Sequence, residues 1–241
     1  MHYWNKDYFE GLQRLGAAVA VLWPEYAEFA RLQNQGLRTS AFATLSKFIE
    51  RLRHEQLASR WQFVQTIYTQ RHVDPRRVVP HPLRTEVMLP TLREVLAGSA
   101  PPPDAFLWMA HYFPDELART SPADPDPKAT FLRNAITRFA SDDRIRQELA
   151  AHLLDQVEFN QHHLDESKYI GDAHADQEKL MEARRIIRDP SSSALLPPLD
   201  RAQALLDGWL RFLESHERDF PAWCKRNGID PPDRVTRVYY E

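Results

Sequence analysis

The chain has 241 residues, with 31 Lys or Arg against 34 Asp or Glu for a formal net charge of −3, and 43% of its residues are hydrophobic. Such a length and composition are typical of a globular protein with one large or two small cores, and they exclude a largely disordered chain. The longest apolar run near the N-terminus, 17–23, is too short to cross a bilayer. Asp7 and Glu10 stand where a signal peptide would be basic. The sequence therefore predicts a soluble, cytoplasmic protein with no membrane partner.

The chain contains a single cysteine, Cys224. One cysteine excludes an internal disulfide framework and a cysteine-based zinc site, and it fits a reducing compartment. Because Cys224 lies in the apolar and aromatic stretch 220–224, we expect it to be buried as a small hydrophobic side chain.

Hydrophobic residues recur at helical spacing along most of the chain, which has only seven glycines and 18 prolines. The prolines stand mainly between the periodic segments, so the pattern predicts an all-α multi-helix globular bundle of about ten helices. We place these helices near 7–22, 24–35, 39–54, 57–72, 82–97, 104–112, 128–140, 142–166, 175–188, 199–216 and 222–227. Strand-like stretches occur only at 77–79 and 234–240 and are too short to specify a sheet. An α-solenoid is a minor alternative, because no repeat of fixed period is visible.

The segment 120–128 interrupts the helical pattern with three prolines and two aspartates. It is either a linker or a surface loop within one helical domain, because connections of this length between helices are uncommon but not diagnostic. We expect one domain over 1–241, with a possible lobe boundary at 120–128.

Charge is unevenly distributed along the sequence. Residues 31–93 contain 11 Lys or Arg against 4 Asp or Glu, and residues 141–182 contain 4 against 11. The two segments either form separate basic and acidic surfaces that steer oppositely charged partners, or face each other and cancel.

The acidic segment contains a helix with one apolar and one polar side. On a helical wheel, the polar side of 149–166 collects four acidic residues and two histidines, His152 and His162, with Phe159 as its only apolar interruption. Asn160 lies within the apolar arc, where we expect it to order a neighbouring loop. The candidate partner-binding residues are Asp155, Glu158, His162, Asp165, Glu166 and, in the turn that follows, Tyr169, which is either an exposed anchor or a packing residue. The alternative interpretation of this stripe is a solvated face with local ion pairs.

The basic segment offers a weaker candidate site. Arg76, Arg77 and Arg84 lie in or beside a proline-rich loop and could contact an anion. Nucleic acid is an unexpected partner, because the sequence pI is about 6.4 and the aromatic residues of this segment have the helical spacing of a core.

Common catalytic signatures are missing from the sequence. There is no nucleophile elbow, phosphate loop, dinucleotide fingerprint, His-Glu-x-x-His or Cys-x-x-Cys pattern, and the sequence predicts no cofactor. One metal alternative remains open: Glu158 and His162 are four residues apart on one helix face and could bind a cation with His163 or Asp165 and residues of another helix.

The sequence thus favours a non-enzymatic module whose acidic helix engages a basic protein partner, such as an immunity-like or neutralising inhibitor. The alternative is a metal-assisted hydrolase, or another metal-binding helical protein, using Glu158 and His162 to position a metal that activates water. An exposed stripe would favour the first hypothesis, and a stripe that converges on a cavity would favour the second. The sequence predicts no oligomeric state.

Overall fold

The computed structural model describes residues 6–70, 73–188 and 194–232. Within these ranges the chain is helical and contains no strand, so the predicted all-α class is confirmed. None of the helices in the described ranges is long and apolar enough to cross a membrane. The chain divides into two compact units, 1–116 and 117–241, which are described separately below; the single domain with two lobes remains a prediction.

The first unit is built from short and medium helices joined by proline-rich turns. A π-helical turn, Arg84–Met88, joins α6 to α7 immediately before Pro90, which has no backbone N–H to donate to an α-helical ladder. The helices are α1 (Lys6–Val19), α2 (Pro24–Asn34), α3 (Arg38–Arg53), α4 (Leu57–Tyr68), α5 (Pro75–Val78), α6 (His81–Leu83), α7 (Leu89–Ala97), α8 (Pro103–Tyr112) and α9 (Pro114–Thr120), within which the division falls.

Large aromatic side chains fill the core of this first unit. Tyr26, Phe29, Phe48 and Phe63 are fully buried and meet edge-on or tilted, with neighbouring ring centroids 5.3–5.8 Å apart. Such edge-to-face packing is the favoured geometry of aromatic pairs. The spacing of these residues on α2, α3 and α4 therefore reflects core packing.

One of the two short strand-like stretches is helical. Residues 77 and 78 belong to α5, whose N-cap Asp74 accepts a hydrogen bond from the backbone N–H of Arg76 at 3.0 Å, with Pro75 at the first helical position. A capping aspartate followed by proline starts a helix and outweighs the β preference of the two valines that follow. The second stretch, 234–240, lies outside the described residues.

The second unit contains the acidic segment. Its helices after α9 are α10 (Pro127–Arg138), α11 (Asp143–Gln161), α12 (Ala173–Ile186), α13 (Leu196–Glu214) and α14 (Phe220–Arg226), with a 3₁₀ turn at Leu164–Glu166. Aspartates cap four of these helices, namely Asp126, Asp142, Asp172 and Asp219. Within the segment 120–128, residues 121–126 form the connection from α9 to α10, and Asp126 is the cap of α10.

The helix expected over 142–166 ends earlier, at Gln161. After it, the 3₁₀ turn is terminated by Ser167 in the left-handed conformation, with φ 58°. A non-glycine residue with positive φ marks a tight turn, and the chain leaves the direction of α11 there.

A compact apolar cluster forms one part of the core of this unit. Its buried members are Leu164, Leu205, Trp209, Phe212, Phe220, Trp223 and Cys224. Burial raises the pKa of the Cys224 thiol to about 11, against a smaller opposite effect of Arg211, so the group stays protonated and unreactive near neutral pH. The prediction that Cys224 is a buried apolar residue is confirmed.

Candidate functional site

Helix α11 positions most of the candidate residues. Leu149, Leu153 and Val157 are buried along one side, in agreement with the expected apolar stripe. Asp142 starts the helix by accepting a hydrogen bond from the backbone N–H of Arg144 at 3.0 Å. Because the apolar side is buried, the polar side chains of the last two turns lie on the opposite side.

Four neighbouring residues on that opposite side are exposed: Asp155, Glu158, Phe159 and His162. The side chain of Phe159 is 65% exposed, and its ring centroid lies 5.0 Å from that of His162. Partial burial raises the pKa of Glu158, the negative charge of Asp155 raises it further, and Arg201 opposes both. The exposed Phe159 ring thus shares this side of α11 with two carboxylates.

Glu158 and His162 border a small depression of about 180 Å³. Its wall also contains Gln161, Arg201, Leu205 and Pro232. Gln161 is buried and donates a hydrogen bond of 2.9 Å to the backbone carbonyl of Ala202. The depression is too small for most organic substrates, given that ligand pockets usually measure about 300–1,000 Å³.

Asp165 and Glu166 project from the 3₁₀ turn into a second, larger cleft of about 620 Å³. The two concave regions share Pro232 in their walls. The cleft contains charges of both signs, because Asp219, Arg218 and Lys225 also line it. The structure therefore brings Glu158, His162, Asp165 and Glu166 to adjoining depressions.

Tyr169 lies behind this surface. Its ring stacks on Trp209, with centroids 5.9 Å apart, and it packs against the apolar cluster. Its hydroxyl donates a hydrogen bond of 2.6 Å to Asp176, and burial together with that carboxylate raises the pKa of Tyr169. Of the two roles considered for Tyr169, this geometry is that of a packing residue that holds the turn.

Asp176 was not among the candidate residues, yet it organises the loop beside α11. It has no exposed surface and accepts hydrogen bonds from Asn160 at 2.7 Å and Lys179 at 2.9 Å. The backbone carbonyl of Asn160 also accepts a hydrogen bond of 3.1 Å from the backbone N–H of Ile170, so Asn160 contacts the loop through its main chain and α12 through its amide. The spacing of Asp176 with the buried Leu180 could have revealed that it faces the core.

The structure brings together two of the candidate metal ligands, His163 and Asp165, with Glu166, which the metal hypothesis did not include. Among the residues that the structure describes, the group whose donor atoms all lie within 4.8 Å of one another consists of His163, Asp165 and Glu166. Glu158 and His162 are not members of it, and the His162 Nδ1 contacts the backbone carbonyl of Phe159. Asp155, Glu158 and His162 are exposed on the polar stripe of α11.

The three arginines considered for anion binding do not converge. Arg76 and Arg77 both approach the carboxylate of Asp74, at 3.2 Å and 3.6 Å. Arg84 donates a hydrogen bond of 3.1 Å to the backbone carbonyl of Tyr112 and lies 5.6 Å from the centroid of the Phe113 ring. An anion contact at these residues remains a prediction.

The positive charge of 31–93 is balanced within the first unit. Residues 1–116 contain 13 Lys or Arg against 12 Asp or Glu, a formal net charge of +1. Basic residues of the segment pair with acidic ones of the same unit, as in Arg51 with Glu25 and Arg60 with Glu94. Residues 117–241 contain 18 against 22, a net charge of −4, so the excess charge is acidic and lies in the second unit.

A second polar cluster involves the middle of α11. His152 Nε2 and Gln156 Nε2 contact the two carboxylate oxygens of Asp126 at 2.8 Å and 2.7 Å. Burial alone would raise the pKa of Asp126, but the hydrogen bonds from His152, the backbone of Ala129 and Gln156 lower it to about 2. This cluster joins α11 to the cap of α10.

Comparison of the chain with protein-family models, curated proteins and solved structures gave no match. The functional assignment therefore depends on the geometry of the second unit alone.

Proposed function

We propose that this protein is a non-enzymatic binding module that engages a basic protein partner through the acidic face. We define the acidic face by its exposed or partly exposed residues: Asp155, Glu158, Phe159, His162, Asp165 and Glu166. The observation that carries the proposal is the exposed ring of Phe159, which lies against His162 on a side of α11 that also exposes Asp155 and Glu158. A partner that covers this ring would turn it into a buried aromatic anchor within a polar rim, which is the usual composition of a protein-binding hot spot.

The two kinds of side chain have separate roles in this proposal. Covering the Phe159 ring contributes most of the affinity, at roughly 25 cal/mol per Å² of apolar surface removed from water. The carboxylates attract a basic surface, accelerate its association and disfavour acidic competitors. Tyr169 is a positioning residue, since its ring and hydroxyl are engaged inside the unit.

The partner is proposed by its chemistry, as a protein with a basic surface and an apolar recess for Phe159. Neutralisation of a basic effector by an immunity-like inhibitor is one form of such binding. The single cysteine of the chain, buried as Cys224, supports a reducing cytoplasmic compartment as the place of this interaction.

Site-specific photo-cross-linking tests the proposal. A photoreactive phenylalanine analogue replaces Phe159 in one variant and Leu213 in a matched control, because Leu213 is an exposed residue of α13 with 56% relative exposure. After irradiation of cells that produce the protein, we expect position 159 to capture a basic protein that position 213 does not capture. Capture of the same proteins at both positions would contradict the proposal.

Charge reversal provides the second arm of this experiment. Asp155→Lys with Glu158→Lys, introduced beside the photoreactive residue at position 159, should abolish the capture. The matched control Glu178→Lys with Glu214→Lys makes the same change in net charge at exposed residues of α12 and α13, and it should leave the capture intact. Equal effects of the two double variants would mean that capture depends only on overall charge, and this result would contradict a specific acidic face.

A further inference from the structure

We propose that the second unit binds one Zn²⁺ ion through His163, Asp165 and Glu166. One donor atom from each residue lies within 4.8 Å of the other two. The site shares Asp165 and Glu166 with the acidic face, but the inference does not depend on a partner and is tested with the metal alone.

The spacing of the donor atoms suits a single small cation. His163 Nδ1 and Glu166 Oε2 are 3.5 Å apart. In a tetrahedral zinc site with bonds of about 2.0–2.2 Å, neighbouring donor atoms are separated by roughly 3.3–3.5 Å. The observed separation is close to that span, and a donor atom of Asp165 lies within 4.8 Å of both.

The turn that carries these residues is held firmly from both sides. Leu164, between His163 and Asp165, is completely buried in the apolar cluster with Phe220. Ser167 Oγ accepts a hydrogen bond of 2.8 Å from the backbone N–H of Phe220. Ligands on a rigid turn lose less conformational entropy on binding, which favours a preorganised site.

The donor set selects the metal. One imidazole nitrogen with two carboxylate oxygens suits zinc, whereas magnesium prefers oxygen donors alone and dehydrates reluctantly. The 620 Å³ cleft beside Asp165 and Glu166 leaves room for a water molecule as a fourth ligand. Lys168 Nζ lies 3.6 Å from Glu166 Oε2, but its side chain is 72% exposed and can turn into solvent when a cation arrives.

Calorimetric titration of the tag-free full chain with ZnCl₂ just above neutral pH tests the site. We expect one equivalent of Zn²⁺ to bind, and His163→Gln and Asp165→Asn each to weaken the affinity by at least about tenfold. His174→Gln is the matched control, because His174 is an exposed histidine of α12 that is not a member of the group, and it should bind Zn²⁺ as the unmodified chain does. Circular dichroism verifies that each variant is folded.

Three results would overturn the assignment: no stoichiometric Zn²⁺ binding, undiminished binding by folded His163→Gln, or an equal loss in His174→Gln. MgCl₂ at the same concentrations should produce no saturable heat, and equal binding of Mg²⁺ and Zn²⁺ would contradict a role for the imidazole. These outcomes leave the cross-linking test at position 159 unaffected, so failure of the metal site and failure of the proposed function are distinguishable.

Discussion

The hydroxyl of Tyr169 donates a hydrogen bond of 2.6 Å to the carboxylate of Asp176, a side chain with no exposed surface. Asn160 Nδ2 and Lys179 Nζ donate to the same carboxylate. Residues of α11, of the loop and of α12 therefore meet at one buried group. A buried carboxylate is tolerated only with such partners, so this network fixes the loop beside the acidic face.

Replacement of Asp176 by alanine should destabilise the second unit strongly. The change removes a buried charge that satisfies three donors, and we expect a loss of about 3 kcal/mol in the free energy of unfolding. Urea denaturation followed by circular dichroism measures it. The control Glu178→Ala, at an exposed position of the same helix, should change stability by less than about 0.5 kcal/mol, and similar losses in both variants would contradict this role of Asp176.

Tyr169→Phe removes one hydrogen bond of this network, and its effect on the free energy of unfolding should depend on pH. Removing the hydroxyl should cost about 1 kcal/mol near neutral pH. Because burial and the bond to Asp176 raise the folded pKa of Tyr169, its stabilisation is complete below the unfolded pKa of about 10 and is lost as the pH rises above that value. Urea unfolding should therefore show that the difference in the free energy of unfolding between the unmodified chain and the variant is smaller at strongly alkaline pH than at neutral pH. A difference that stays constant or grows would refute the assignment.

Helical spacing and capping residues explain how much of the fold was predictable. Leu149, Leu153 and Val157 recur on one side of α11 and are buried as expected, because helix packing places such a stripe in the core. The end of that helix was placed five residues too late, at Glu166 instead of Gln161. Sequence periodicity persists through the 3₁₀ turn, but that turn is ended by Ser167, which has a positive φ and bonds to the backbone of Phe220, a residue distant in sequence.

The candidate site was only partly predictable for a related reason. The exposure of Asp155, Glu158 and His162 follows from local periodicity. The role of Tyr169 required knowledge of Asp176 and Trp209, which come from other helices. Likewise, a segment charge of +7 over 31–93 suggested a basic surface, but folding places acidic residues such as Glu25 and Glu94 beside its arginines.

Gly171→Ala should disturb the same loop by steric conflict. A Cβ at position 171 would lie 2.2 Å from Asn160 Nδ2, so Asn160 would have to move away from Asp176. We expect a loss of roughly 1–3 kcal/mol, as for other overpacked sites. A double-mutant cycle of Gly171→Ala with Asn160→Ala, measured by urea unfolding, should show that the two effects are coupled, because the shortened side chain at position 160 relieves much of the conflict. Strictly additive effects would show that the strain does not come from Asn160.

The contact of Asp126 with His152 and Gln156 predicts a stability change at acid pH. Because the folded pKa of Asp126 is lowered to about 2, its contribution is present above the unfolded pKa of about 3.9 and is lost as the pH falls towards the folded value. Asp126→Asn, which retains a capping side chain, should therefore cost about 1–2 kcal/mol near neutral pH and progressively less below about pH 4. Urea unfolding across that interval measures the difference, with the exposed substitution Asp155→Asn as control. A penalty for Asp126→Asn that stayed the same from neutral to acid pH would show that the carboxylate charge contributes nothing to the contact with His152.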